Sequence, residues 1–121
     1  MSVYDLANRL AKQIKNSDEY EDYLEKKKKV MQNDKTKEML IDFQQEQMKL
    51  QAKQLSGEDL TEEEQEKLEN LRDLVDINND IKKYLQAEYR VNILLNDIQN
   101  IIFGDLELGI EEEDQNNKSE E

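Results

Sequence analysis

Apolar side chains along this chain return at steps of three and four, the spacing that lines one face of an α-helix, and no stretch carries the turn-bounded alternation of a hairpin. Val3, Leu6, Ala7, Leu10, Ala11 and Ile14 set the first such face, and Ser2 followed by Asp5 reads as a cap for its first turn. The first helix is predicted over residues 3–15. Asn16 and Ser17 interrupt it, with Ser17 as N-cap of a second helix that carries Tyr20, Tyr23, Leu24, Val30 and Met31 and ends near Gln32. Asn33 and Asp34 form the next local break. Beyond them Leu40, Phe43 and Leu50, with Ile41, Met48, Ala52 and Leu55 on an adjacent stripe, predict a long third helix over 35–55.

Ser56-Gly57-Glu58-Asp59 is the clearest loop, because Gly57 can take the positive φ that ends a helix while its polar neighbours solvate the backbone. Thr61 followed by Glu64 reads as a capping box, and Leu68, Leu71, Leu74 and Val75 mark the helix behind it. Ile77, Ile81, Tyr84, Glu88, Val91, Leu95, Ile98 and Ile102 continue as a heptad-like seam. A single helix from 62 to 103 would be about 63 Å long, too long for a compact domain of this size, so Asn78-Asn79-Asp80 is the predicted place for a break or bend. The fold class that follows is all-α: a small bundle of about five helices, two of them long, over residues 1–104. Past Gly104 the periodicity fades, and residues 105–121 read as a disordered acidic tail.

Composition narrows what such a protein can do. Only 36% of the 121 residues are apolar while 39% are charged, a balance suited to thin helical assemblies that complete their burial with a partner subunit. Thirty acids against 17 bases leave a net charge of −13, which repels phosphate backbones and makes direct nucleic-acid binding an unfavoured role. The tail from 105 onward holds eight of those acids and one base. Without cysteine there is no disulfide, thiolate nucleophile or cysteine-held cluster, and without histidine no Glu-x-x-His di-metal motif. No apolar run approaches the roughly 20 residues of a membrane span, and the start lacks the basic-then-apolar layout of a signal peptide. A cytoplasmic protein is expected, with no cofactor and no enzymatic role.

Charged clusters mostly read as solvated helix faces. Lys26–Lys29 follows Asp18, Glu19, Glu21 and Asp22 on one helix, where acids early and bases late complement the dipole, and Asp22–Lys26 and Glu25–Lys29 are favourable i,i+4 pairs. Glu62, Glu63 and Glu64 fan around their helix. Glu88 is different, since it takes a seam position between Tyr84 and Val91 and, if buried, requires a base or hydrogen-bond donors; Arg9, Gln47 and Gln54 are candidate partners. Gln44, Gln45, Gln47, Gln51 and Gln54 read as a solvated amide face of the third helix.

The candidate interaction surface lies on the last helix. Ile81, Tyr84, Leu85, Val91, Leu94, Leu95, Ile98 and Ile101 span an apolar arc too wide for one neighbouring helix, which predicts burial partly inside the subunit and partly against a second copy. A homodimer is therefore expected, with other protein chains as a further class of partner.

The stretch Leu50-Gln51-Ala52-Lys53-Gln54-Leu55-Ser56-Gly57-Glu58, then Thr61-Glu62-Glu63, Tyr84-Leu85-Gln86-Ala87-Glu88-Tyr89-Arg90 and Asp97-Ile98-Gln99-Asn100-Ile101-Ile102, resembles the YlbF/YmcA family of bacterial helical proteins, and within it a YheA-like branch. Tyr4-Asp5-Leu6-Ala7 and Ser17-Asp18-Glu19-Tyr20 fit as well, so the resemblance covers residues 3–108. It implies a self-associating helical protein and an accessory regulatory role, as in relatives linked to competence, sporulation, biofilm formation and mRNA processing. The iron–sulfur clusters associated with those relatives are held by cysteine and do not carry over to a cysteine-free chain. The function expected is a non-enzymatic protein–protein interaction or assembly module. The alternative is an RNA-associated processing factor.

Overall fold

A computed structural model describes residues 1–109, and among them all regular structure is helical. The elements are α1 (Val3–Lys15), α2 (Asp18–Met31), α3 (Asp34–Ser56), α4 (Glu62–Ile77) and α5 (Asn79–Phe103). From residue 110 on, the acidic tail lies outside the described residues.

Each helix starts where a short polar side chain can satisfy backbone N–H groups that have no partner one turn back. At α1, the Asp5 amide donates to Ser2 Oγ and the Ser2 amide donates to Asp5 Oδ2, both at 3.1 Å. Thr61 and Glu64 make the same reciprocal box at α4, at 3.2 Å in each direction. Ser17 accepts from the Tyr20 amide at 3.3 Å and Asn33 from the Thr36 amide at 3.1 Å. The α3 helix ends on Gly57, whose φ of 77° is the left-handed conformation that a residue without Cβ adopts freely.

Between α4 and α5 the break is a single residue. Asn78 leaves helical geometry at φ −98° and ψ 104°, and its Oδ1 accepts from the Ile81 amide at 3.0 Å to start the next helix. Asn79 and Asp80 already belong to α5.

The chain divides into two units, Met1–Val91 and Asn92–Glu121. In the first, α1 packs on α2, α2 on α3 and α3 on α4. Val30, Leu40, Phe43, Leu71, Val75, Ile81 and Tyr84 form its core, with Tyr23, Met39 and Leu85 packed against them. Each such aliphatic side chain contributes roughly 1.5 to 3 kcal/mol when fully buried, so this cluster holds α2 to α4 and the first turns of α5 together. In the second unit, the described part comprises the end of α5 and the turn after it, where the Leu106 amide donates to the Phe103 carbonyl at 3.0 Å. None of its described residues is buried.

Candidate interaction surface

The eight residues predicted for an interface separate along α5. Ile81, Tyr84 and Val91 are 0%, 4% and 7% exposed and belong to the interior of the first unit, while Leu85 is half-buried against the core. Leu94 and Ile98 are half-buried, and Leu95 and Ile101 are 43% and 79% exposed. Ile93, Ile102, Phe103, Leu106 and Leu108 are exposed as well. The free part of the arc is therefore Leu94, Leu95, Ile98, Ile101 and Ile102, and the remainder is ordinary core.

Beside the core half of α5 lies an aromatic and carboxylate cluster. The Tyr23 ring sits 5.6 Å from that of Tyr84 and 6.1 Å from that of Tyr20. Tyr84 donates its hydroxyl proton to Glu88 Oε2 at 2.9 Å. Glu88 is thus half-buried, and its partner is a tyrosine one turn back on its own helix rather than Arg9, Gln47 or Gln54; the i,i+4 spacing makes that contact available without any other element. Burial foremost, then the Tyr23 hydroxyl and the Glu88 carboxylate, push the Tyr84 phenol well above its ordinary range, so it remains a protonated donor.

The more deeply buried carboxylate is Glu46, 7% exposed, which the seam argument did not single out. Its Oε1 receives Lys67 Nζ from α4 at 3.1 Å and Lys49 Nζ from its own helix at 3.3 Å. The Lys67 hydrogen bond, seconded by Lys49, holds the carboxyl below its ordinary range against the opposing effect of burial. A sequence signal existed: Glu46 lies three residues past Phe43 and four before Leu50, on the buried edge of α3. Of the amides, Gln44 is half-buried and Gln45, Gln47, Gln51 and Gln54 are exposed.

The lysine run is divided among acids. Lys26 pairs with Asp22 at 3.1 Å as the i,i+4 spacing predicts, whereas Lys29 reaches Asp80 on α5 at 3.7 Å rather than Glu25. Arg90 joins the same surface through Asp22 at 3.3 Å. Bases that alternate with acids in this way offer no continuous track for phosphates.

Sequence periodicity identified the α1 face but not that α2 covers only part of it. No residue of α1 is buried, and Val3, Tyr4 and Leu6 are among the most exposed large apolar side chains of the chain. Leu10 and Ile14 are half-buried.

Among the described residues, no group of three or more His, Cys, Asp or Glu is arranged to hold a metal ion, and no helix is long and apolar enough to cross a membrane. The family model described as "Control of competence regulator ComK, YlbF/YmcA" matches residues 3–107. A UPF0342 protein of Halothermothrix orenii is 53% identical over 118 residues, covering 98% of this chain and all of that protein. One from Desulfitobacterium hafniense is 39% identical over 119 residues, covering 95% and 96%. A solved structure of a protein of unknown function (DUF964) from Bacillus stearothermophilus superposes with a TM-score of 0.72 at 20% identity, over 84% of this chain and 90% of that one, a likeness of fold. With the family's sequence pattern matched over residues 3–107 and more than half of the residues shared with a relative across nearly the whole chain, the chain belongs to the YlbF/YmcA family.

Proposed function

We propose that the protein is a non-enzymatic helical assembly module, an accessory regulatory subunit that works by placing another protein chain, a second copy of itself first, over the open arc of α5. The observation that carries this reading is the exposure of Leu95, Ile101 and Ile102 beside half-buried Leu94 and Ile98 on one contiguous helix face. Side chains of this kind contribute roughly 1.5 to 3 kcal/mol each on full burial, so a row of three exposed and two half-buried ones is a drive toward association. A regulatory family description suits a protein that acts through such contacts rather than through chemistry of its own. RNA is a poorer occupant, because this face is apolar and carries acids without a single base from Asn92 to Gly109.

Sedimentation equilibrium at micromolar concentration is expected to give twice the chain mass. Ile101→Asp should move the population toward monomer without loss of helical signal, since Ile101 is 79% exposed in the single chain. A wild-type chain that sediments as a monomer would overturn the self-assembly reading, and retention of single-stranded RNA with a steep salt dependence would favour the alternative.

A further inference from the structure

Two faces of this chain are apolar, free of buried residues and opposite in charge. The first is α1, where Val3, Leu6, Ala7, Leu10 and Ile14 share one side and where Arg9, Lys12 and Lys15 outnumber Asp5, a net of +2. The second is the end of α5 with its following turn, where Leu94, Leu95, Ile98, Ile101 and Ile102 share one side and where Asp97, Asp105 and Glu107 stand without any base, a net of −3. We propose that α1 of one copy docks on the Asn92–Phe103 segment of α5 in a second copy, and reciprocally, so that two identical helix pairs hold a closed dimer. The proposal rests on the assembly reading above and names the surface that answers the open arc.

Three observations converge on this pairing. The partners match in length, each running a little over three turns, about 18 to 20 Å at 1.5 Å per residue. Their charges favour it over the symmetric alternatives, since α5 against α5 would set Asp97, with Asp105 and Glu107 in the turn just beyond the segment, near their own counterparts without a base between them, and α1 against α1 would bring two net charges of +2 together. Among the described residues, Arg9, Lys12, Lys15, Asp97, Asp105 and Glu107 form no ion pair within the chain. At 100° per residue, Arg9 and Lys15 fall on either side of the α1 apolar stripe and Asp97 borders the α5 arc, where long basic side chains can lie along apolar surface and still reach a carboxylate. Two-fold symmetry then covers both faces of both copies with one kind of contact and leaves none to propagate.

Charge reversal on exposed residues tests the pairing without touching the core. The variants Arg9→Glu/Lys15→Glu and Asp97→Lys/Asp105→Lys are each expected to dimerise about tenfold or more weakly than wild type in low salt, as like charges then meet at both contacts. Mixed in equal amounts they should form a heterodimer of wild-type strength, because each α1 then faces an α5 of opposite sign. Equal weakness of the mixture would overturn the pairing. Because the chain has no cysteine, Leu10→Cys and Ile98→Cys supply a second reading. Mixed and oxidised, the two single variants should give a covalent dimer that neither gives alone. Self-linking of Ile98→Cys would place α5 against α5 and sink the pairing while leaving assembly standing. A double variant that closes a disulfide within one chain would show α1 covered by its own α5 and would sink it too. A wild type that stays monomeric removes the assembly reading together with the pairing.

Discussion

The two halves of α5 have the same apolar rhythm and opposite fates. Ile81, Tyr84, Ala87 and Val91 step along the helix at threes and fours and are buried, whereas Leu94, Leu95, Ile98, Ile101 and Ile102 continue the step and contain no buried residue. What changes is the surroundings. The first half meets Val30, Leu40, Phe43 and Val75 from α2, α3 and α4, and polar anchors reinforce it: Tyr84 on Glu88, Lys29 on Asp80 and Arg90 on Asp22. The second half has no ion pair among the described residues and an uninterrupted apolar side. Periodicity states that a helix has a face to cover; it does not state what covers it.

The largest effect that could break this contrast is core truncation. Ile81→Ala, at a position with no exposure, should cost about 2 to 5 kcal/mol in urea unfolding, while Ile101→Ala should shift the stability of the monomer by less than about 0.5 kcal/mol. Comparable losses at the two positions would mean that the halves are packed alike. Tyr84→Phe is expected to be intermediate, at about 1 to 3 kcal/mol, because it removes the donor to Glu88 and leaves a half-buried carboxylate unanswered. Adding Glu88→Leu to that variant should recover part of the loss, and no recovery would show that the hydroxyl serves packing alone.

The smallest expected effect is on the acid limb. Glu64, held by Lys53 and by the Thr61 cap, has its carboxyl lowered to about 2 from an ordinary 4.5. A carboxylate with a depressed folded value stabilises the fold above its unfolded value, and that stabilisation is lost as pH falls from 4.5 toward 2. Glu46, lowered by Lys67 and Lys49, acts in the same direction. Glu64→Gln should therefore flatten the fall in melting temperature below about pH 4.5, and an unchanged slope would remove Glu64 from the account. Both carboxylates lie in the Met1–Val91 unit, so a titration followed by hydrogen exchange should lose protection in the core half of α5 and change little beyond Val91.

The helix boundaries were readable because their causes are local. Ser2, Ser17, Asn33, Thr61 and Asn78 each close a hydrogen bond three residues away, a distance at which residue type alone announces the interaction. The wrong partners for Lys29 and Glu88 came from competition between local and distant groups. Lys29 reaches Asp80 on another helix rather than Glu25 one turn back, while Glu88 takes a neighbour on its own helix rather than a distant residue.

From the sequence alone came five helices, the caps at Ser2, Ser17 and Thr61, the Gly57 stop and the excess of apolar surface on the last helix, all consequences of propensity and spacing within a few residues. Tertiary structure decided the rest: that Asn78 by itself separates α4 from α5, that Glu46 rather than Glu88 is the deeply buried carboxylate, and that the seam splits at Val91 into core and open face. The Arg90–Asp22 bond, joining positions 68 residues apart, shows the reason. Burial and pairing at that separation depend on where whole helices come to rest, and that is set by the summed packing of the core rather than by any short run of residues.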